Sequence, residues 1–341
     1  KTPTDTGSGC GISWLAPTYI IGTHGGGYVY LDAPTGEVNL TGTILANAEN
    51  NPNSANFSSA GAGGGIRIVA DTLSGSGAAM QANGGNTASD YGNGGGGRIS
   101  IKYTTDSYTG GISTLLSSTA STGGTSGTKV GGAGTIFYMQ DAEANGHLIV
   151  DNKTQGWVMG SEAGLMATES FDSVSISTGS GVYIGPSATV SLPATSVDYI
   201  VRIAGTLTSP PSVTYQNGSQ FISEKDSSFS FTNLTLATGA KFTHGYNSAS
   251  AQGKSLQLNI SGNLSMQTNA LLDVSGRGYP AASGQGRGAT ATSTQSGGGA
   301  GHGGVGGGGG FAASGGAIYD AALAPTLIGS GGSNSGGAGT C

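Results

Sequence analysis

Charge is what this chain lacks most. Of its 341 residues, 9% are Asp, Glu, Lys or Arg, against about 25% in an ordinary soluble domain. Twelve basic residues against 18 acidic ones leave a net charge of −6, which excludes the basic footprint of a nucleic-acid binder. Low charge with recurring Val, Ile and Leu also excludes the usual disordered chain. Proline numbers 10 and glycine follows no period of three, so the chain is not collagen. No run approaches the ~18 apolar residues of a membrane span. The four histidines, His24, His147, His244 and His302, show no metal-ligand spacing. Calcium nonapeptides need an Asp that Gly92-Asn93-Gly94-Gly95 does not supply. A phosphate loop needs a Lys that Gly97-Arg98-Ile99 does not supply. The expectation is no metal, no cofactor, no nucleic acid and no membrane span.

Glycine is what the chain has in excess: 67 residues, close to a fifth, where about 7% is usual. The glycines come in clusters, each leading into a short alternating strand. Gly25-Gly26-Gly27 precedes Tyr28-Val29-Tyr30-Leu31, and Gly63-Gly64-Gly65 precedes Ile66-Arg67-Ile68-Val69. Residues 94–97 precede Arg98-Ile99-Ser100-Ile101, and Gly131-Gly132-Ala133-Gly134 precedes Thr135-Ile136-Phe137-Tyr138. In each unit a polar turn and a second short strand are expected to follow, for example Gly111-Ile112-Ser113-Thr114-Leu115 in the third. Alternation turns one set of side chains inward, and a unit this small can bury its apolar face only by stacking on a neighbour. The predicted core therefore contains Ile66, Ile68, Ile99, Ile101, Ile136, Tyr138, Ile176 and Leu236.

The organisation reads as an N-terminal arm (1–24), Gly-rich coils (25–154), an irregular crossing segment (155–170), Ser/Thr-rich coils (171–275) and a Gly-rich region packing on them (276–341). Within the crossing segment, residues 161–166 read as a helical turn or a loop. Strands of three to five residues between Gly-Ser and Asn-Gly turns in 171–275 match the rhythm of parallel β-helix coils of ~20–25 residues. The fold class predicted is all-β: a right-handed parallel β-helix, or β-solenoid, with glycine-rich loops. Glycine segments packed like polyproline II are an open alternative to flexible loops there.

Cys10 and Cys341 are candidates for a disulfide within one subunit or between two. Sequons stand at Asn39, Asn56, Asn152, Asn217, Asn233, Asn259 and Asn263, candidates for N-glycosylation. Low charge, abundant Ser and Thr and the terminal cysteines together favour an extracellular or cell-surface location. The chain begins at Lys1 with no apolar leader, which reads as a mature protein or a piece of a longer one. For enzyme chemistry the best carboxylate group is Asp71, Asp90 and Asp106 with Lys102 nearby, and solvated turn residues are the commoner explanation. Tyr91, Tyr103, Tyr108, Tyr246 and Tyr279 are candidates to stack on sugars.

Gly clusters before I-x-I strands, followed by residues such as 73–85 (LSGSGAAMQANGG) and the Gly tract of 297–337, resemble a class of glycine-rich, repetitive β-helix proteins of microbial and protist surfaces. The resemblance implies a secreted or surface structural role and transfers no catalytic residue. The leading expectation is an extracellular structural protein, not an enzyme, its partner being other copies of itself joined head-to-tail in a filament, sheath or appendage. An adhesin or fibre binding receptors or cell-surface glycans is the alternative, and a polysaccharide-degrading β-helix enzyme the second.

Overall fold

Each glycine cluster delivers its strand into register with the one before. The computed structural model describes residues 3, 6–9, 13–15, 18–20, 23–51, 59–87, 92–117, 119–124, 129–153, 160–177, 179–248, 252–291, 296–310 and 312–333. It is almost all β, 2% helical and 37% strand, with mostly parallel sheets. Strands Tyr28–Leu40, Gly65–Gly75, Arg98–Tyr108 and Thr135–Gln140 pair in parallel order. Val29, Ile66, Ile99 and Ile136 stand in one column, and Leu31, Ile68, Ile101 and Tyr138 in the next. Of the predicted core, Ile66, Ile68, Ile99, Ile101, Ile136, Ile176 and Leu236 are buried. Tyr138 is only partly so.

Two expected features differ. The polar turn after the first strand of a unit does not form in the first two units. Tyr28–Leu40 runs on through Asp32 and Glu37, with one register shift between Ala33 and Glu37, because the neighbouring strand pairs with it on both sides of that bulge. In the third unit, the segment expected as a second strand is a short helix, Ile112–Ser117. Gly110 and Gly111 adopt positive φ there, a turn that favours glycine, and the Asp106 carboxylate accepts the Ile112 amide at 2.7 Å. The helix turns Leu115 into the core.

The glycines work by close approach. Consecutive amides leave the second cluster toward three different segments: Gly63 donates to the Gly95 carbonyl (2.9 Å), Gly64 to Ala46 (2.8 Å) and Gly65 to Gly27 (3.0 Å). The next unit repeats this, with Gly96 to Gly132, Gly97 to Ala82 and Arg98 to Gly64. A Cβ on Gly64, Gly97 or Gly134 would lie 1.9 Å from the carbonyl oxygen of Gly27, Gly64 or Gly97 respectively. Only a residue without a side chain lets the backbones pack at this spacing.

Strand direction reverses once between the two stacks. Thr135–Gln140 and His147–Val150 pair antiparallel, across a turn in which Asp172 accepts the amides of Asn145 and Gly146. The core changes sides at the same place. Ile136 belongs to the first apolar cluster, while Phe137, Leu148 and Val150 belong to a second. Phe137 is buried against expectation because its strand has a core on both faces.

From residue 163 onward the strands recur in threes. Ala163–Leu165 is a strand, so the stretch read as a helical turn or loop opens this second stack. One ladder joins Ala163, Val182, Val201, Phe221, Phe242 and Leu272, in steps of 19, 19, 20, 21 and 30 residues. The last step is longer because extra chain lies between Lys241–His244 and Leu258–Ile260, of which residues 245–248 and 252–257 are described and form no strand. All of this ladder but Leu272, with Tyr215, Phe229 and Leu234, fills the second core. Among the described residues beyond 275 there are no strands. Extended segments there exchange lateral amide bonds, as from Gly301 to Gly286 and from Gly316 to Gly299 (2.8 Å each). They join the loop through Asn247 Nδ2 donating to the Arg277 carbonyl and the Ile328 amide donating to Gln252.

Candidate functional site

Two members of the group singled out in the sequence, Lys102 and Asp106, are each engaged elsewhere. Lys102 Nζ lies 2.9 Å from Asp141, not beside Asp106. Asp106 spends both oxygens on backbone, accepting the Tyr108 and Ile112 amides. Asp71 lies on strand Gly65–Gly75, and Asp90 falls outside the described residues. Tyr103 and Tyr108 are buried. Burial pushes the Tyr103 hydroxyl up to about 12, and the Tyr108 hydroxyl accepts the Ala78 amide at 2.7 Å. Tyr246 is exposed, with the Arg277 guanidinium 4.0 Å from its ring centre. Tyr279 is half-buried, and Tyr91 lies outside the described residues.

Cys10, Cys341 and Asn56 also lie outside them. Of the other sequons, Asn39, Asn217, Asn259 and Asn263 are exposed and Asn233 is half-buried. Asn152 is different: it is buried, its Nδ2 donating to the Gly131 carbonyl and its Oδ1 accepting the Gly123 amide, both at 2.9 Å. A glycan there would displace a bond between the two stacks. Peptide mapping by mass spectrometry of native protein is expected to find Asn152 bare; a glycosylated Asn152 would contradict this packing.

A charged cluster that the sequence reading missed sits on the outer face of the 163–272 ladder. Tyr183 and Arg202 are register neighbours, and the guanidinium lies 4.5 Å from the Tyr183 ring centre. Arg202 stands 3.6 Å from both Glu162 and Glu224, and Lys254 of the looped-out segment pairs with Glu224. The Glu162 side chain is 2% exposed and that of Arg202 20%. Their sequence separations, close to multiples of the ladder step, were the available signal. Both carboxylates are held by cations, so the cluster works as a clamp tying the first strand and the loop onto the stack. Breaking a buried pair strands its partner's charge at about 3–5 kcal/mol. Arg202→Ala is expected at the lower end, about 3 kcal/mol in chemical denaturation, because the guanidinium keeps some water. A loss below about 0.5 kcal/mol would refute the clamp.

His244 lies beside it, buried, with Nδ1 donating to the Gly245 carbonyl at 2.8 Å. Desolvation lowers its pKa from 6.5, helped by Arg277 and Lys254 and opposed by the Gly245 bond and Glu224. The folded state thus binds a proton less readily than the unfolded one. The stability this contributes is complete above about pH 6.5 and is lost as the pH falls below it. The urea midpoint is expected to drop between about pH 7.5 and pH 5, and His244→Gln to flatten that part of the slope. An unchanged slope in the variant would contradict the assignment.

Arg98 marks the junction of the two stacks, donating to the Gly164 carbonyl at 2.6 Å and to Thr135 Oγ1 at 3.3 Å. The polar cavity beside it, about 320 Å³, is walled by glycine backbone and Glu162. It also takes in Asn93 and Thr135, and its one carboxylate, Glu162, pairs with Arg202 through Oε2.

The end of the second stack is the remaining feature. Leu264, Met266, Leu271, Leu272 and Val274 are all exposed, on or just after the last strands of the ladders. No protein-family model, curated protein or solved structure matches this chain. Among the described residues no group of His, Cys, Asp and Glu is arranged to hold a metal, and no helix is long and apolar enough to cross a membrane.

Proposed function

We propose that the chain is an extracellular structural protein, a right-handed parallel β-helix whose copies join head-to-tail into a filament, sheath or surface appendage. The observation that carries this reading is the last rung, where core positions of the ladder stand open to solvent. Rungs repeating every 19–21 residues support the β-helix, and the threefold fan of glycine amides supports polyproline-II-like packing of the Gly-rich segments. An uncovered strand edge is a template for another chain, and a contact between unlike ends that does not close makes a fibre.

An adhesin role has one observation in its favour. Thr189, Ser191, Thr206 and Thr208 form an uncharged hydroxyl patch in paired register, a surface suited to sugar hydroxyls. Immunogold labelling with negative-stain microscopy of the source cells separates the readings. The structural reading expects label along extracellular filaments or a sheath. Label confined to the cell interior would overturn it, and label on isolated surface particles with glycan-array binding would favour the adhesin.

A further inference from the structure

We infer that the last rung of the second stack is a self-assembly surface, and that its occupant is the opposite end of a second copy of this chain, presenting strands Tyr28–Leu40 and Thr43–Leu45. The inference rests on the head-to-tail reading above and names its two surfaces.

The last rung consists of core positions without a next layer. Leu264 pairs with Leu234, Met266 with Leu236 and Leu272 with Phe242. The three inner partners are fully buried, whereas Leu264, Met266 and Leu272 are 44%, 43% and 43% exposed. The columns that carry the core stop with their apolar ends in water. Strands Leu258–Ile260, Leu264–Met266 and Leu271–Leu272 each close their sheets, so among the described residues each presents an unpaired backbone edge. None contains a charged residue or a proline, the usual guards of an exposed edge. Asn259 alternates with Leu258 and Ile260 and is exposed, so a glycan on it would leave from the side of the stack and keep the end face clear.

Among the described residues, two strands at the other end also have no neighbour on their outer side. Tyr28–Leu40 closes the long sheet and Thr43–Leu45 a short one. Leu31, Val38 and Ile44 are only partly buried against the first core, and Leu45 is 59% exposed. Here Asp32, Pro34 and Glu37 cluster at the bulge, leaving Tyr28–Leu31 and Thr43–Leu45 as unguarded edge. A same-end contact would cover one apolar end and leave the other bare. A contact between unlike ends covers both with a single interface, which is why the opposite end is the occupant. Each added copy then recreates the same two open ends.

The test uses the full chain and two variants, each adding lysines to one edge at exposed positions. One is Leu264→Lys with Leu272→Lys; the other is Thr43→Lys with Leu45→Lys. Circular dichroism checks that each remains folded, and light scattering follows mass against concentration. The unsubstituted chain is expected to grow with concentration. Each variant alone is expected to stay at the 33.1 kDa of one chain. Their equimolar mixture is expected to stop at a pair, because one good head and one good tail remain. A first-edge variant that dimerises alone would show last rung meeting last rung and overturn the proposal. An unsubstituted chain that remains single at every concentration would also overturn it. If both variants assemble like the unsubstituted chain, these surfaces are wrong while the structural reading stands. The structural reading itself fails separately, on immunogold label confined to the cell interior.

Discussion

Replacing Gly97 with alanine will destabilise the fold by about 3 kcal/mol or more, beyond the usual range for overpacking. The new methyl would sit 1.9 Å from the Gly64 carbonyl oxygen and 2.7 Å from the Gly63 carbonyl carbon. Both obstacles are backbone, so no rotamer change relieves the clash. The Gly64 carbonyl is already the acceptor for the Arg98 amide at 2.9 Å, and pushing it away breaks the bond that sets the next strand's register. Gly303 supplies the control, since a Cβ there meets nothing within 4 Å. Gly303→Ala should change stability by less than about 1 kcal/mol, because it mainly restricts the unfolded chain. Urea titrations of the two variants check the pair. Equal effects would mean that the glycines are not there for close packing.

The second large effect is expected at Phe221. Its ring stacks on Phe242 with centres 4.6 Å apart and planes 14° from parallel, and meets Phe229 edge-on at 4.8 Å. Phe221 and Phe242 are both fully buried, one above the other on the ladder. Phe221→Ala should cost about 3–5 kcal/mol, from lost transfer energy plus the cavity left behind. On the same ladder strand as the terminal Leu272, Leu271 is half exposed, and Leu271→Ala should cost about 1 kcal/mol or less. Thermal and urea unfolding of both variants measure the contrast. A small loss at Phe221 would mean that the second stack lacks a fixed core.

Alternation made the first stack's columns legible: Ile66, Ile99 and Ile136 fall in line as the I-x-I pattern implies. Sequence periodicity also foretold short, stacked strands through residues 171–275. It did not reveal that Thr135–Gln140 serves two cores, because Ile136 and Phe137 look alike in hydropathy and only the antiparallel partner His147–Val150 places a second core behind it. The strand at Ala163–Leu165 was hidden because Ala-Gly-Leu carries too little β-propensity to stand out, and the pairing with Val182–Ile184 forms it. Arg202 and Glu162 lie 40 residues apart, and nothing local marks them as partners until the ladder brings them to one face. The exposed end of the stack was invisible for a related reason. Leu264 and Leu234 occupy the same kind of strand, and only the missing next layer makes one of them surface.

Cryo-electron microscopy of the purified native protein tests the central claim most directly. Stacked rungs joined end to end predict layers about 4.8 Å apart along the fibre axis, continuing across each subunit boundary where the last rung of one chain meets the first strand of the next. Discrete single chains, or fibres whose subunits touch only through the sides of the stack, would contradict it.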